Sequence, residues 1–304
     1  METNQDKLFS QLAAPLIVIA TVIWGSSFVV MKDSVSALPP MWLLAIRFTL
    51  SGVLLGLFCW RRWRLLDRGY LLGGTVTGFF LCSAYIFQTF GLTWTTPGKN
   101  AFFTAVYCVA VPFLNWLVAK KRPDRFNVAA ALLCLTGVGL VSVTGSDASA
   151  FNLGDVLTLV GGLFFAAHIL AVARFAEGRD IFLLTALQFL FFALFSWVGV
   201  AVTRPALDLS VFTAPLMWRL AYLVVIVSCG ALLFQNIGQK YTPPAKAAVL
   251  LALEAPFGVI FSVALAGERP TALAFLGFGM IFLAVVCSET KFAFLHRPKA
   301  EITP

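Results

Sequence analysis

Long apolar segments separated by short polar connections account for nearly the whole chain. Because a helix of about 20 apolar residues crosses the hydrocarbon core of a bilayer, each segment predicts one transmembrane helix. The sequence therefore predicts an all-α integral membrane protein surrounded by the lipid bilayer, with no linker long enough to separate soluble domains. The ten predicted spans are 12–31, 42–60, 70–92, 99–119, 126–144, 153–173, 181–202, 216–238, 246–266 and 272–290.

The second half of the chain repeats the first. At a constant offset of 147, Gly91, Thr95, Pro97, Lys99 and Ala101 correspond to Gly238, Thr242, Pro244, Lys246 and Ala248. A weaker match at an offset of 141 sets Trp24-Gly25 beside Phe165-Ala166 and Arg47-Phe48 beside Gln188-Phe189. The similarity predicts that the chain consists of two related halves.

The spans group into two five-helix repeats, residues 12–144 and 153–290, with short tails at 1–11 and 291–304. Because five is an odd number, the second repeat enters the membrane from the opposite side, and the two repeats are inverted. Inverted repeats that surround a site near the bilayer midplane are typical of secondary transporters.

Composition and charge support a membrane location. The chain is 60% hydrophobic and 12% charged, whereas soluble domains contain roughly 25% charged residues. The net charge of +8 comes from short Lys and Arg clusters and not from one continuous basic surface, so no nucleic-acid partner is predicted. Most of these clusters, such as 61–68 and 120–125, fall on the side that holds both chain ends. The positive-inside rule therefore predicts cytoplasmic termini.

Several short motifs occur in a fixed order along these spans. They are Trp24-Gly25-Ser26-Ser27-Phe28, Arg47-Phe48, Gly91-Leu92, Thr95 to Ala101 and Pro112 in the first half, and Thr242 to Ala248, Glu254-Ala255-Pro256 and Gly267-Glu268 in the second. In their order and spacing the motifs resemble those of the EamA-type transporters of the drug/metabolite transporter superfamily. The resemblance implies a multi-pass carrier of the bacterial inner membrane that exports amino acids, other metabolites or drugs.

Glu254 is the most informative single side chain. It lies about 12 Å into its span, at about 1.5 Å per residue, and so close to the middle of the bilayer. An ionised acid that faces lipid at this depth costs about 2.5–3.5 kcal/mol or more, so Glu254 is expected to face the protein interior. Two roles are open: a carboxylate that couples protons or binds a substrate ammonium group, and a protonated structural acid bonded to a neighbouring helix.

Other polar and aromatic side chains inside the spans are candidates for the wall of a substrate cavity. Polar side chains are costly to leave unpaired in lipid, and aromatic rings stack on apolar ligands. Hydrogen bonding and packing between helices are the structural alternatives, and for His168 an interhelical hydrogen bond is the favoured interpretation. The candidate cavity residues are Trp24, Ser27, Tyr85, Gln88, Tyr107, Asn115, His168, Gln235, Asn236 and Glu254.

A second set of residues is interpreted as structural or gating. Arg47 is expected to snorkel to the headgroups, and the alternatives are that it anchors a carboxylate or locks a helix terminus. Lys99 and Lys246 begin equivalent helices, where a cation opposes the helix dipole. Gating, or contacts across the pseudo-two-fold axis, therefore competes with snorkelling to the interface as the explanation of their position. Pro256 has no amide hydrogen for the carbonyl of Ala252 and is expected to distort its helix. The full set is Arg47, Pro97, Lys99, Pro244, Lys246 and Pro256.

These features predict a secondary transporter that moves a small-molecule substrate by alternating access, with proton coupling as one mode of operation. The alternatives are an uncoupled carrier or channel and, less favoured, a membrane-embedded enzyme, since neither a Gly-x-Ser-x-Gly nor a His-Glu-x-x-His motif is present. No cofactor or metal site is predicted, because the six cysteines lie in apolar spans without the spacing of metal ligands. The sequence is compatible with a monomer and does not decide the oligomeric state.

Overall fold

A computed structural model of the chain describes residues 4–120, 122–143 and 151–290. Within these residues the structure is helical and contains no β-strand. A π-helical segment, Tyr222–Leu232, joins α9 to α10, and 3₁₀ helices occur at Trp60–Leu65 and Leu209–Val211. The α-helices of the described residues are α1 (Asn4–Ala37), α2 (Pro40–Phe58), α3 (Arg68–Trp94), α4 (Pro97–Thr104), α5 (Tyr107–Ala119), α6 (Arg125–Val143), α7 (Leu153–Phe175), α8 (Ile181–Thr203), α9 (Ala214–Ala221), α10 (Leu233–Lys240), α11 (Pro244–Ala252), α12 (Glu254–Ala266) and α13 (Ala272–Thr290).

The ten predicted spans are confirmed. In the described part of the chain, eight stretches are long and apolar enough to cross a membrane, and shorter apolar helices at Arg125–Gly137 and Ala272–Ala284 supply the other two. One boundary is corrected, because α1 begins at Asn4 and includes most of the predicted N-terminal tail. The predicted C-terminal tail, 291–304, lies outside the described residues.

Three spans predicted as single helices are interrupted. The fourth consists of α4 and α5 with a break at Ala105 and Val106, the ninth of α11 and α12 with a break at Leu253, and the eighth contains the π-helical segment. Pro256 explains the break in the ninth span, because it cannot donate a hydrogen bond to Ala252, the last residue of α11. The equivalent position in the fourth span is Val109, so the first break forms without a proline.

The two repeats share their backbone as well as their sequence. The offset of 147 that relates the sequences also converts the bounds of α5 into those of α12, and the first residue of α6 into that of α13. Both α5 and α12 are followed by a residue in the left-handed conformation, Lys120 with φ 58° and Gly267 with φ 68°. The breaks that precede α5 and α12, and the ends of these two helices, are therefore properties of the repeat.

Close helix contacts support the weaker offset of 141 for the first helices of each repeat. A Cβ atom added to Gly91 on α3 would lie 2.7 Å from the carbonyl oxygen of Gly154 on α7. In the other repeat, a Cβ atom added to Gly238 on α10 would lie 2.7 Å from the carbonyl oxygen of Ala13 on α1. The offsets of 147 and 141 convert one contact into the other, so the same small-residue approach of two helices occurs twice.

The interrupted spans lie around the centre of the bundle. α1 packs against α10, α11 and α12, and α7 packs against α3, α4 and α5, while α6 pairs with α13 and α2 pairs with α8. We refer to the face at which α1 and α3 end as the outer face, and to the opposite one as the inner face. The charge distribution predicts that the inner face is cytoplasmic.

Gly258→Val is expected to destabilise the protein, because α4 leaves no room for a side chain at this position of α12. An added Cβ atom would overlap the Cβ atom of Ala101 on α4. Overpacking of this kind costs about 1–3 kcal/mol, so the thermal unfolding midpoint in detergent should fall by several degrees. Gly279→Val in α13 is the control, since no atom lies within 4 Å of its added Cβ. An equal loss of stability in both variants would contradict the packing.

Candidate functional site

A small cavity lies at the centre of the bundle, where the interrupted helices of the two repeats meet. Its walls come from α1 to α5 of the first repeat and from α7, α10, α11 and α12 of the second. The cavity has a volume of about 40 Å³, enough for about three water molecules at roughly 10–15 Å³ each. A substrate of amino-acid size therefore enters only when the surrounding helices separate.

The cavity wall follows the symmetry of the repeats. Four pairs of lining residues are repeat equivalents: Trp24 with Phe165, Phe28 with Ile169, Gln88 with Gln235, and Tyr107 with Glu254. The first two pairs are related by the offset of 141 and the last two by 147. The cavity thus lies on the pseudo-two-fold axis, the position of the substrate site in transporters built from inverted repeats.

Buried polar atoms without a hydrogen-bond partner concentrate at this cavity. An unpaired polar group in a protein interior costs about 1–3 kcal/mol, so native structures contain few of them. Their convergence marks the cavity as a site for a polar ligand or water. Six such atoms among the described residues belong to lining side chains: Trp24 Nε1, Arg47 Nη2, Thr89 Oγ1, Asn100 Oδ1, Tyr107 Oη and Glu254 Oε1.

Glu254 faces this cavity and not the lipid. It is the first residue of α12, it is buried, and it makes no salt bridge with any described residue. Its repeat equivalent Tyr107 is the first residue of α5 and lies beside the carboxyl group. Two helix N-termini therefore meet at the cavity, where the helix dipole favours negative charge.

Arg47 also reaches the cavity, and the snorkelling predicted for it is wrong. The side chain is 1% exposed, and its Nε donates a hydrogen bond to Ser228 Oγ at 2.8 Å. The guanidinium carbon lies 5.1 Å from the ring centres of both Phe48 and Tyr85, which gives favourable cation–π contacts. α2 packs between α8, α3 and the π-helical segment, so this side chain is directed into the protein instead of toward the headgroups.

Seven of the ten candidate cavity residues line the cavity: Trp24, Ser27, Tyr85, Gln88, Tyr107, Gln235 and Glu254. Asn115, His168 and Asn236 do not. His168 Nε2 lies 3.3 Å from Gln188 Oε1, and Asn236 Nδ2 donates to Thr185 Oγ1 at 3.0 Å, so these two side chains connect helices beside the cavity. Asn115 lies in the inner half of α5. The prediction did not include Arg47 among the lining residues, nor Met31, Thr89 or Asn100.

His168→Ala is expected to lower stability without changing substrate affinity, because its partner is a neighbouring helix and not the cavity. Loss of the hydrogen bond and of the buried ring should cost about 2–4 kcal/mol of unfolding free energy. Gln88→Ala, which alters the cavity wall, should show the opposite pattern, a raised KM with a smaller loss of stability. Thermal unfolding and uptake kinetics of the two variants check this. A raised KM in His168→Ala would contradict the assignment.

Lys99 and Lys246, equivalent in sequence, differ in surroundings. Lys99 is buried, with its Nζ 2.8 Å from Asp155 Oδ2 on α7, so snorkelling is wrong for this residue. Lys246 is exposed. Pro97 and Pro244 are the first residues of α4 and α11, where proline fits the start of a helix.

Two separate segments of the chain match one family model. The model of the EamA-like transporter family matches residues 11–143 and again residues 152–290. The chain belongs to the EamA-like transporter family. The two matches coincide with the two halves of the structure, and the resemblance drawn from the sequence motifs is confirmed.

Relatives and solved structures agree with membership of the EamA-like family. Two transporters of Archaeoglobus fulgidus, both described as uncharacterized, match most of the chain. The first is 30% identical, over 92% of this chain and 85% of its own length. The second is 25% identical, over 90% of this chain and 96% of its own length. Protein PagO of Salmonella typhimurium is 24% identical over 51% of this chain and 52% of its own length. A crystal structure with 17% identity has a TM-score of 0.65 and covers 91% of this chain and 98% of that one, which shows the same fold. The protein is a multi-pass membrane transporter.

Proposed function

We propose that this EamA-like protein is a secondary carrier that exports amino acids or similar small zwitterions across the bacterial inner membrane. The observation that carries the proposal is the convergence of two ionisable side chains of opposite charge, Arg47 and Glu254, on one cavity between the repeats. Each has an atom without a hydrogen-bond partner among the described residues.

The two charged groups complement the two ends of a zwitterion. The guanidinium of Arg47 presents planar donors that suit a carboxylate, and the carboxylate of Glu254 suits an ammonium group. Trp24, Tyr85 and Phe165 supply the apolar and aromatic surface that would contact a substrate side chain. An amine that lacks a carboxylate, or an acid that lacks an ammonium group, leaves one buried charge unpaired and should bind more weakly.

Alternating access follows from the inverted repeats, because each can adopt the conformation of the other and open the cavity to the opposite face. The breaks at Ala105–Val106 and Leu253 lie beside the cavity, where they allow the half-helices to move separately. At about 40 Å³ the cavity is too small for an amino acid, so the proposal requires the surrounding helices to separate toward one face at a time. With both termini cytoplasmic, export is the passage from the inner face to the outer face.

A shared carboxylate would couple export to proton entry. An unpaired carboxylate in an apolar interior is costly when ionised, so Glu254 would bind a proton whenever no ammonium group is present. Substrate binding would displace the proton toward the inner face, and substrate release would allow another to bind from the outer face. An inward proton gradient would then drive substrate outward.

The test is uptake of labelled amino-acid pools into liposomes that contain the purified protein, with empty liposomes as the control. The proposal predicts saturable uptake that accelerates when the lumen is made acidic relative to the outside, since protons and substrate move in opposite directions. Saturable uptake that ignores the pH gradient would indicate an uncoupled carrier. Unsaturable flux would indicate a channel, and no uptake from any pool would reject amino acids as the substrate.

A further inference from the structure

The outer face of the bundle is closed by contacts that need very small residues. A Cβ atom added to Gly25 on α1 would lie 2.5 Å from the Cβ atom of Phe257 on α12, and one added to Gly258 would overlap Ala101 on α4. On the inner face, the residue equivalent to Gly25 is Ala166 and the residue equivalent to Gly258 is Val111. These larger side chains leave less room for the same close approach.

A buried ion pair joins the two repeats on the same outer side of the cavity. Lys99 at the start of α4 is 6% exposed, Asp155 at the start of α7 is 0% exposed, and Nζ lies 2.8 Å from Oδ2. The Thr95 hydroxyl donates to Asp155 Oδ1 at 2.5 Å, and the Asn152 backbone N–H donates to Oδ2 at 3.1 Å. A buried pair stabilises a closed arrangement when further hydrogen bonds satisfy the remaining lone pairs, and the Asp155 carboxylate meets this condition.

The inner face contains the repeat equivalents of the outer ion pair and its hydrogen-bond donor, except the acid, Asp155. Thr242 and Lys246 are the equivalents of Thr95 and Lys99, but at the offset of 141 the position of Asp155 is occupied by Ala14. α1, which carries Ala14, contacts α11, which carries Lys246, as α7 contacts α4 in the outer arrangement. Lys246 is exposed, whereas Lys99 is buried. The two ends of the bundle therefore differ in this contact although the repeats are equivalent in sequence.

We propose that the Lys99–Asp155 pair is a one-sided latch that holds the outer face closed and makes the inner face the one that opens at rest. Opening of the outer face must separate this pair, whereas opening of the inner face has no equivalent pair to separate. The repeats alone would make the two open states similar in energy, so the latch, together with the glycine contacts, sets their ratio. This inference rests on the proposed alternating access of the central cavity.

The first test measures access to the cavity from each face without any substrate. A reporter, Ser27→Cys, is placed in the cavity wall after the six native cysteines are replaced, and an impermeant thiol reagent is added to either side of oriented vesicles. We expect the reporter to react from the inner face. With Asp155→Asn, reaction from the outer face should rise about tenfold or more, which corresponds to roughly 1.4 kcal/mol in the gate equilibrium.

Asp180→Asn is the matched control, because it breaks an ion pair with Arg62 at the inner face, at 3.2 Å and partly exposed, and leaves the latch intact. It should not raise outer access. Unchanged outer access in Asp155→Asn, or an equal rise in both variants, would overturn the proposal.

The second test installs the missing acid, and it decides the question even where Asp155→Asn fails to fold. Ala14→Asp should pair with Lys246 and lower reaction from the inner face about tenfold. Ala14→Asn, of the same size without charge, should not, and Lys246→Met added to Ala14→Asp should restore inner access. Equal inner access in Ala14→Asp and Ala14→Asn would overturn the latch.

The two levels of the proposal fail in different ways. If substrate moves the wild-type reporter from inner to outer access while neither acid substitution has an effect, the latch is wrong and alternating access stands. If the reporter reacts from one face alone under every condition, including saturating amino-acid pools and all variants, alternating access itself is wrong.

Discussion

Glu254→Gln is expected to abolish transport driven by a pH gradient while substrate exchange continues at saturating concentration. Glutamine has the size of glutamate and keeps an oxygen acceptor for an ammonium group, but it cannot bind and release a proton in each cycle. The weaker contact with the ammonium group should raise the KM for exchange by roughly tenfold or more, since a hydrogen bond to a charged group contributes about 1.5–3 kcal/mol.

The measurement is uptake by Glu254→Gln liposomes with and without an imposed pH gradient, followed by exchange of labelled for unlabelled substrate in the same preparation. Tyr107→Phe is the matched control, because it changes the side chain beside Glu254 and keeps the acid. It should still respond to the gradient. An undiminished response of Glu254→Gln to the gradient would reject Glu254 as the coupling group.

Arg47→Met is expected to remove most of the affinity for zwitterionic substrates. Methionine fills much of the volume of the arginine side chain but offers no donor to a carboxylate, and truncation of one member of a buried charge pair costs about 2–5 kcal/mol. The KM for an amino acid should therefore rise by about thirtyfold or more. Arg47→Lys keeps the charge but not the planar donors, so its effect should be intermediate.

The control for Arg47→Met lies in the substrate. A decarboxylated amine analogue has no group for Arg47 to bind, so its weak transport should be no worse in Arg47→Met than in the wild type. Competition curves for the amino acid and its amine in both proteins provide the comparison. An equal loss for both compounds would mean that Arg47 supports the fold of the cavity and does not bind the carboxylate.

Much of the architecture could be predicted because it depends on local sequence and on repetition. Each span is long and apolar enough to be recognised from sequence. The offset of 147 is visible because Gly, Thr, Pro, Lys and Ala recur at the same spacing in both halves. The depth of Glu254 in its span was sufficient to predict that it faces the interior. Pro256 also predicts a distortion of the ninth span near Leu253, because it removes a backbone hydrogen bond.

The features that were missed depend on contacts between distant segments. The break at Ala105–Val106 has no local signal, because the repeat equivalent of Pro256 is Val109, which can donate its backbone hydrogen bond. Only comparison with the other repeat would predict this break. The direction of the Arg47 side chain depends on how α2 packs. From sequence alone, a long basic side chain at this depth is equally compatible with snorkelling to the headgroups and with burial in the protein. Asp155 was not singled out, although a lone acid three residues after Asn152 at the start of an apolar span is the signature of a helix cap.

The central claim is that a single cavity between the repeats is exposed alternately to the two faces, and substrate counterflow tests it most directly. Liposomes with the wild-type protein are loaded with a high concentration of an unlabelled amino acid and diluted into a trace of the labelled one, without any pH gradient. Alternating access predicts that label accumulates transiently above its equilibrium level. Each release of unlabelled substrate to the outside leaves the cavity open to the outside, where it binds labelled substrate and carries it in. Label that rises only to equilibrium, as through a channel, would contradict alternating access.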